Sequence, residues 1–308
     1  MYPLTVFTPT YNRRECLKKC YQSLVEQTNR DFVWQIVDDG SSDGTQELIK
    51  SYIAEGKIAI DYHWKENGGK SSAINYSLEI TDTPLWVCLD SDDYFFPYAV
   101  ETILKVCEGI EDRDDVCGAM TVRSNEDATP MHGINMPENV EYATQLDIRY
   151  KYNVPVEYAQ IYKTEVIKKY RFPQYSGEKF VTESWMQDQI DTEYVFKLFR
   201  EPVMVCEYLP TGLTNNYWKL IRNNPMGFLD FYEQRVKLCK LLKPRFVAAI
   251  MYNAVYSLVD KQKVKKCNKF IVKMAYIPGI IVIQKQKRTN WGGVHKRSRQ
   301  ASKTRTGL

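Results

Sequence analysis

The chain has 308 residues, of which 44% are hydrophobic and 26% are charged, and this is the composition of a soluble globular protein. Its length predicts one large domain or two modest ones, and its composition excludes a disordered or collagen-like chain. No run reaches the roughly 18 uninterrupted apolar residues that a membrane-spanning helix needs, and the first residues lack the basic and apolar regions of a secretory signal. We therefore expect neither secretion nor a membrane span.

Eight cysteines are scattered along the chain, and none of them forms a C-x-x-C pair. This spacing indicates neither a zinc ribbon nor a disulfide framework. We expect the cysteines to be reduced thiols of a cytosolic protein.

The net charge of +4 conceals an asymmetry between the two ends of the chain. Residues 261–308 carry 14 Lys and Arg and no acid, so residues 1–260 hold the other 28 bases and all 38 acids, a balance of −10. Such a basic end predicts a partner with negative charge, and the alternative is a solvated, disordered end without a partner.

The first half of the chain alternates short apolar runs with amphipathic helical patterns, which is typical of a mostly parallel sheet covered by helices. The predicted strands are 4–7, 32–37, 58–62 and 85–89. Apolar residues at helical spacing predict helices over 17–25 and 48–53. Polar and glycine-rich segments lie where these strands end, and ligands of open α/β sheets bind at that edge.

The pattern changes from about residue 116. The predicted elements are then a strand at 116–122, a loop over 124–140, a strand at 156–161, a helix over 182–190, and a pair of strands at 194–199 and 203–208 joined at Glu201-Pro202. We expect the sheet to end near residue 215. Apolar stripes beyond it predict helices over 246–259 and 264–274, and the tail after Gln284 is expected to be partly disordered.

Three carboxylates, Asp90, Asp92 and Asp93, lie within four residues directly after the strand at 85–89. Such acids repel one another, and a hard dication with oxygen ligands neutralises them. The sequence therefore predicts a Mn²⁺ or Mg²⁺ ion that bridges the three acids to a diphosphate. The alternative is a helix N-cap, which explains one aspartate, Asp93, but not three.

Two other loops carry candidate binding residues. The segment that begins with Asp38 and Asp39 is typical of an ordinary turn before a helix. The other interpretation is that Asp39 accepts a hydrogen bond from the N–H of a heterocyclic base. Asn67 to Ser72 combines glycines, Lys70 and the start of a helix, which suit a phosphate. Neither a Walker loop nor G-x-G-x-x-G after the first strand is present.

Four segments in series over residues 6–95 resemble motifs of the inverting family 2 glycosyltransferases with a GT-A fold: VFTPTYNR, IVDDGSSDGT, NGGKSSAINYSL and CLDSDDYF. The resemblance is strongest in the first 125 residues. The later GEKFVTESWMQDQI, EPVMVCEYL and GLTNN resemble bacterial members that build capsular or other surface polysaccharides. The resemblance implies an α/β GT-A fold. With the sequence pattern it divides the chain into a catalytic domain over 1–215, a helical region over 216–284 and a basic tail over 285–308 that we expect to be disordered.

Carried over position by position, the resemblance implies that three residues frame the uracil of a UDP-sugar, namely Pro9, Tyr11 and Asp39. Lys70 would lie near the ribose or the phosphates, and Asp90 near the ribose or the sugar. Asp92 would bind the metal, and whether Asp92 or Asp93 is the nearer ligand stays open.

The family also places a catalytic base at the amino end of a helix beyond the loop, usually the acid of a Glu-Asp pair. The pair reads Thr182-Glu183 here, so Glu183 is the candidate base, and Glu178 and Asp188 are the alternatives. The base would take the proton of an acceptor hydroxyl, while the dication and Lys70 stabilise the leaving diphosphate. Attack from the rear then inverts the anomeric carbon.

The function that the resemblance implies is transfer of a hexose or N-acetylhexosamine from a UDP-sugar to a polyprenyl-diphosphate-linked saccharide. The enzyme would be cytoplasmic and peripheral on the inner face of the membrane, with the basic C-terminus on anionic lipid. Two alternatives stay open. One is an inactive homologue that assembles a polysaccharide complex, and the other is a nucleic-acid-binding protein, for which no RNP-like or zinc motif is present. No nucleic-acid partner is expected.

Overall fold

A computed structural model describes residues 2–206, 217–261 and 264–286. The chain divides into two compact units, Met1–Gly212 and Leu213–Leu308. The predicted end of the sheet near residue 215 and most of the basic tail lie outside the described residues.

The first half of the first unit alternates strands and helices, as the sequence predicts. Its elements are β1 (Leu4–Thr10), α1 (Arg14–Val25), β2 (Phe32–Asp38), α2 (Thr45–Glu55), β3 (Ala59–Trp64), α3 (Lys70–Ile80) and β4 (Leu85–Cys88). The second half continues with β5 (Tyr94–Phe95), α4 (Ala99–Cys107), β6 (Val116–Val122), β7 (Tyr142–Ala143), α5 (Gln145–Tyr150), β8 (Tyr158–Lys163), α6 (Thr164–Ile167), α7 (Ser184–Ile190), β9 (Val195–Leu198) and β10 (Met204–Val205).

The main sheet has the strand order β3-β2-β1-β4-β8-β6-β9-β7. Strands β1 to β4 run parallel, β8 lies antiparallel between β4 and β6, and β9 runs parallel to β6. The prediction of a mostly parallel sheet is therefore confirmed. The carboxyl ends of β1, β2, β3, β4 and β6 consequently lie at one edge, where polar loops can form a site.

The strands are buried because helices cover the sheet. Leu4 and Val6 of β1 belong to one apolar cluster, whereas Phe7 belongs to another. Successive side chains of a strand point to opposite faces, so each face of the sheet packs against its own core. Burial of each large apolar side chain stabilises the fold by about 1.5–3 kcal/mol.

The two strands on either side of Glu201-Pro202 are present, but they do not pair with each other. β9 lies in the main sheet between β6 and β7, whereas β10 pairs with β5 in a separate two-stranded sheet. Strand partners are chosen by packing rather than by position along the chain, so the sequence pattern did not reveal this pairing.

The second unit is helical, as the sequence predicts. Its elements are α8 (Tyr217–Asn223), α9 (Pro225–Leu238), α10 (Leu242–Tyr256) and α11 (Phe270–Met274), and residues 276–286 are also helical. Gly279 permits the close approach of this last segment to α10, because a Cβ there would lie 2.6 Å from the Cβ of Asn253.

The helix predicted over 264–274 begins only at Phe270, so the first half of that prediction is wrong. The backbone N–H of Cys267 donates to the hydroxyl of Tyr252 at 2.8 Å, and Asn253 donates to the carbonyl of Val272 at the same distance. The contact of Cys267 with Tyr252 ties the segment before Phe270 to α10, and such a tertiary contact is not visible in the local periodicity of the sequence.

Gly69 is a glycine whose replacement tests the packing beside α3. It has a φ of +87°, and a Cβ there would overlap the carbonyl oxygen of Lys179, whereas Gly56 has a φ of +63° with open space around it. We predict that Gly56→Ala lowers the free energy of unfolding by about 1 kcal/mol and that Gly69→Ala lowers it by about 1–3 kcal/mol more. Urea unfolding measures both, and equal losses would contradict the close approach.

Candidate functional site

Polar side chains from several loops meet at the carboxyl-end edge of the sheet. Tyr11 follows β1, Asp39 follows β2, Lys70 opens α3, Asp90 follows β4 and Arg123 follows β6. The parallel strands bring these residues together although more than a hundred positions separate the first from the last. The edge predicted from the sequence is therefore the edge where charged groups gather.

Lys70 is the central cation of this edge. Its Nζ lies 2.5 Å from Oδ1 of Asp90 and 2.5 Å from Oε1 of Glu183. Burial disfavours the charged ammonium, but Asp90 and Glu183 outweigh that effect and hold the pKa of Lys70 well above its usual value. Burial likewise opposes ionisation of Asp90, yet Lys70 and Arg123 lower its pKa to about 2. Lys70 and Asp90 are therefore both charged near neutral pH.

Arg123 is the second buried cation. Its guanidinium lies 2.6 Å from Asp93, 3.4 Å from Glu157 and 3.7 Å from Asp90. Asp93 is only 3% exposed, and burial raises its pKa while Arg123 opposes the rise. α4 begins at Ala99, so Asp93 does not cap that helix. The side chain of Asp93 thus holds Arg123 beneath the surface of the site.

Each of the three acids after β4 lies beside a different basic side chain. Asp90 pairs with Lys70, Asp93 pairs with Arg123, and Asp92 lies 3.7 Å from Arg13. Within residues 2–206, 217–261 and 264–286, no three His, Cys, Asp or Glu side chains gather into a metal-binding group. Three basic side chains, drawn from distant parts of the chain, neutralise the acids that the sequence shows crowded together.

Asp92 has the donor chemistry that a hard cation requires. Its side chain is 27% exposed, against 3% for Asp93, so it is the more open of the two proposed ligands. Mg²⁺ is commonly held by one or two carboxylates together with the phosphates of the substrate. A single carboxylate at the site edge therefore fits Mg²⁺ or Mn²⁺ shared with a diphosphate.

Asp39 is buried and anchors the glycine loop before α3. Its carboxylate accepts hydrogen bonds from the Lys65 ammonium at 2.7 Å, the Gly68 N–H at 2.9 Å and the Gly69 N–H at 2.7 Å. Pro9 is half-buried at the end of β1, and Tyr11 is 50% exposed beyond it. The structure therefore brings the predicted base-binding residues to one edge, with Asp39 already engaged by its own loop.

Glu183 lies immediately before α7 and points toward Lys70. Its side chain makes no capping hydrogen bond to the helix, and its carboxylate contacts the Lys70 ammonium. Asp188, one of the other candidate bases, is 3% exposed inside α7, and Glu178 is half-buried in the turn before the helix. The carboxylate of Glu183 lies beside the Lys70 ammonium, which places this candidate base at the site.

A ring of three glutamines fixes α7. Gln145 donates to Gln187 at 3.1 Å, Gln187 donates to Gln160 at 2.6 Å, and Gln160 donates to Gln145 at 2.8 Å. Asp191, at the end of α7, accepts the N–H groups of Gln145 and Leu146, and burial raises its pKa to about 7. The helix that carries Glu183 at its start is thus bonded to both α5 and β8.

A cavity of about 50 Å³ lies beneath this cluster. Its lining includes Trp86, Cys88, Arg123, Glu183 and Gln187. A water molecule needs roughly 10–15 Å³ of such volume, and ligand pockets usually have about 300–1,000 Å³. The cavity therefore has room for a few waters and not for a larger ligand.

Sequence reasoning missed Arg13, Lys65, Arg123 and the glutamine ring. Arg123 directly follows a predicted strand, and the rule that pointed to the other strand ends would have found it. Arg13 stands beside the predicted Tyr11, within the same loop. The three glutamines share no motif or spacing, and no signal in the sequence marks them.

The chain matches known proteins in its first half. The family model described as Glycosyl transferase family 2 matches residues 5–171. The chain is 36% identical over 138 residues to a chondroitin synthase of Pasteurella multocida, a match that covers 44% of this chain and 14% of that protein. The matched segments span 14% to 36% of the length of the first three curated relatives.

Solved structures match nearly the whole chain. TarS residues 1–349 of S. aureus, solved with UDP-GlcNAc, are 16% identical with a TM-score of 0.58, and the match covers 94% of this chain and 92% of that one. The mannosyltransferase PcManGT of Pyrobaculum calidifontis, solved with GDP-Man and Mn²⁺, is 17% identical with a TM-score of 0.54, covering 93% and 82%. At these identities the likeness concerns the fold.

Arg123 and Arg13 form a matched pair for a test of buried and exposed ion pairing. Arg123→Met leaves Asp93 buried without its partner, and we predict a loss of about 3–5 kcal/mol in the free energy of unfolding. Arg13→Met removes a pair whose side chains are 32% and 27% exposed, and its predicted cost is below about 1 kcal/mol. Adding Asp93→Asn to Arg123→Met should restore part of the loss. Denaturant unfolding of the wild type and these three variants measures the losses, and similar costs for the two arginines would contradict the difference between buried and exposed pairing.

Proposed function

The chain belongs to glycosyl transferase family 2, and on this premise we propose that it transfers a hexose or N-acetylhexosamine from a UDP-sugar to a saccharide acceptor. Its first unit has the GT-A fold that the sequence resemblance implies. The observation that carries the proposal is the contact of Lys70 with both Asp90 and Glu183, because it joins a phosphate-binding cation to an acid that can act as base. UDP-GlcNAc in TarS supports a UDP-linked donor.

The donor would lie along the carboxyl-end edge. Pro9, Tyr11 and Asp39 would frame the uracil, with the exposed ring of Tyr11 as a stacking surface. The diphosphate would lie at the amino end of α3, where backbone N–H groups and the Lys70 ammonium attract anions. Asp90 would contact the ribose or the sugar.

Asp92 would hold Mn²⁺ or Mg²⁺ together with the diphosphate. When bound, such a cation withdraws charge from the leaving diphosphate as the bond to the sugar breaks. The burial of Asp93 against Arg123 favours Asp92 as the ligand, and Asp93 would then act on the donor only through Arg123. Mn²⁺ in the mannosyltransferase PcManGT supports a divalent ion in this fold.

Glu183 would act as the general base. Its carboxylate takes the proton of the acceptor hydroxyl, the hydroxyl oxygen bonds to the anomeric carbon, and the bond from that carbon to the diphosphate breaks on the opposite side. The anomeric configuration is thereby inverted. Because Lys70 contacts Glu183 at 2.5 Å, a diphosphate that draws Lys70 toward itself would leave Glu183 free to accept the proton.

We further propose a polyprenyl-diphosphate-linked acceptor in surface polysaccharide synthesis and a peripheral position on the cytoplasmic face of the membrane. The 14 basic and no acidic residues of 261–308 support contact with anionic lipid. None of the helices described is long and apolar enough to cross a bilayer. The family gives no support to the nucleic-acid-binding alternative, and an inactive scaffold is an outcome of the tests below.

The proposed reaction predicts UDP release from one or more members of a UDP-sugar panel, and loss of that release in EDTA. Asp92→Asn should reproduce the effect of EDTA and abolish Mn²⁺-dependent binding of UDP, because it removes the proposed protein ligand. Asp114→Asn, which changes an exposed acid in the loop before β6, is the matched control and should behave as the wild type. UDP binding without any hydrolysis or transfer would indicate the inactive scaffold, and undiminished UDP binding by Asp92→Asn would reject its role.

We predict that Glu183→Gln leaves donor affinity nearly unchanged while turnover falls about 10²–10⁴-fold, the usual contribution of a general base. Glu178→Gln and Asp188→Asn serve as comparisons, because both residues are alternative bases. Steady-state kinetics with separate measurement of UDP-sugar binding distinguishes loss of chemistry from loss of binding. Near-normal turnover of Glu183→Gln with collapse in one of the other variants would move the base to that residue.

A further inference from the structure

The second unit exposes several large apolar side chains to water. They are Tyr217, Leu242, Phe246, Val247, Phe270, Met274, Tyr276, Ile277 and Ile281. Soluble proteins seldom leave such side chains together on the surface unless the patch binds something. The surface of this unit is therefore the place to look for an interaction site outside the donor site.

Four of these residues form an outer stripe, which we define as Phe270, Met274, Ile277 and Ile281. Their exposed fractions are 75%, 59%, 69% and 58%. Their spacing of four, three and four residues places them on one side of α11 and the helical residues 276–286. The stripe is thus a continuous apolar line about three helical turns long.

The opposite side of the same segment is also apolar, and it is buried. Val272, Ala275 and Gly279 are covered, and Ile283 is 8% exposed. This inner side packs against α10, where Asn253 bonds to the carbonyl of Val272 at 2.8 Å. The inner side accounts for the stability of the segment, so packing within the unit does not explain the outer stripe.

Lysines flank the outer stripe. Lys266, Lys269 and Lys273 are exposed beside it, and the ammonium of Lys266 lies 4.7 Å from the ring centre of Tyr276. No acid occurs anywhere in residues 261–308. Lysine stems can lie along an apolar surface while their ammonium groups reach outward to lipid phosphates, and tyrosine is favoured at the boundary between lipid and water.

We infer that the outer stripe binds the surface of an anionic lipid bilayer. The helical segment lies in the plane of the headgroups, its four apolar side chains enter the acyl boundary, and the flanking lysines contact anionic lipid. A second copy of the chain fits this surface poorly, because two such faces would bring lysines against lysines with no acid between them. The inference deepens the peripheral position proposed above by adding an apolar contact to the charge of the tail.

Sedimentation of the full chain with lipid vesicles tests this surface without any measurement of sugar transfer. We expect binding to vesicles of phosphatidylcholine and phosphatidylglycerol in equal parts, and weak binding to phosphatidylcholine alone. Ile277→Glu combined with Ile281→Glu should reduce partitioning by at least about tenfold, because two charges replace side chains that enter the lipid. Ile53→Glu is the matched control, since Ile53 is an isoleucine of the first unit with 46% exposure.

Substitution of the flanking lysines tests the electrostatic part of vesicle binding. Lys269→Gln and Lys273→Gln should each reduce binding to the anionic vesicles by about fivefold and leave the weak binding to phosphatidylcholine unchanged. All the substituted residues are exposed, and unfolding curves that match the wild type confirm that the fold persists. If salt removes all binding and the isoleucine variant binds as the wild type does, the tail alone attaches the protein and the inference is wrong.

A second result would also overturn the inference. If light scattering shows that the wild type is a dimer and that the isoleucine variant is a monomer with unchanged vesicle binding, the stripe is an interface between copies of the chain. Loss of UDP release with retained vesicle binding would contradict only the proposed transfer reaction. Loss of vesicle binding with retained UDP release would contradict only the lipid surface.

Discussion

The contact of one lysine with two carboxylates is the constraint on which the site depends. Lys70 belongs to α3, Asp90 follows β4 and Glu183 precedes α7, so a single cation joins three elements at the sheet edge. Each charged group is costly to shield from water unless it is paired. The three residues therefore hold one another in place. A change in the position of Lys70 would alter its contacts with Asp90, a proposed sugar contact, and with Glu183, the proposed base.

The ion pairs at this edge differ in how deeply they are buried. Arg123 and Asp93 are buried together and serve the fold, because neither can lose its partner without leaving a charge in the interior. Arg13 and Asp92 lie farther apart and closer to water. Separating this pair costs little free energy, so Asp92 can bind a ligand in place of Arg13. This graded exposure accounts for the proposal that, of two neighbouring aspartates, Asp92 holds the cation.

The two units present different chemistry to their surroundings. The first gathers paired charges at the edge of its sheet, which suits an anionic nucleotide sugar, and the second exposes an apolar stripe between lysines. A transferase that takes a water-soluble donor and a lipid-linked acceptor needs both kinds of surface. The proposed function and the proposed lipid contact are thus compatible, although each rests on its own residues.

The sequence by itself determined the alternation of strands and helices, the mostly parallel sheet and the edge that Asp39, Lys70 and Asp90 share. It did so because hydrophobic periodicity is local, and parallel strands bring the loops at their carboxyl ends together. Only the tertiary structure decided which charges pair, because Arg123 reaches Asp93 across 30 positions and the glutamine ring closes across 42. It also decided that β9 and β10 have different partners and that the last helices leave one apolar side exposed. Contacts between distant residues depend on packing in three dimensions, and no local pattern carries them.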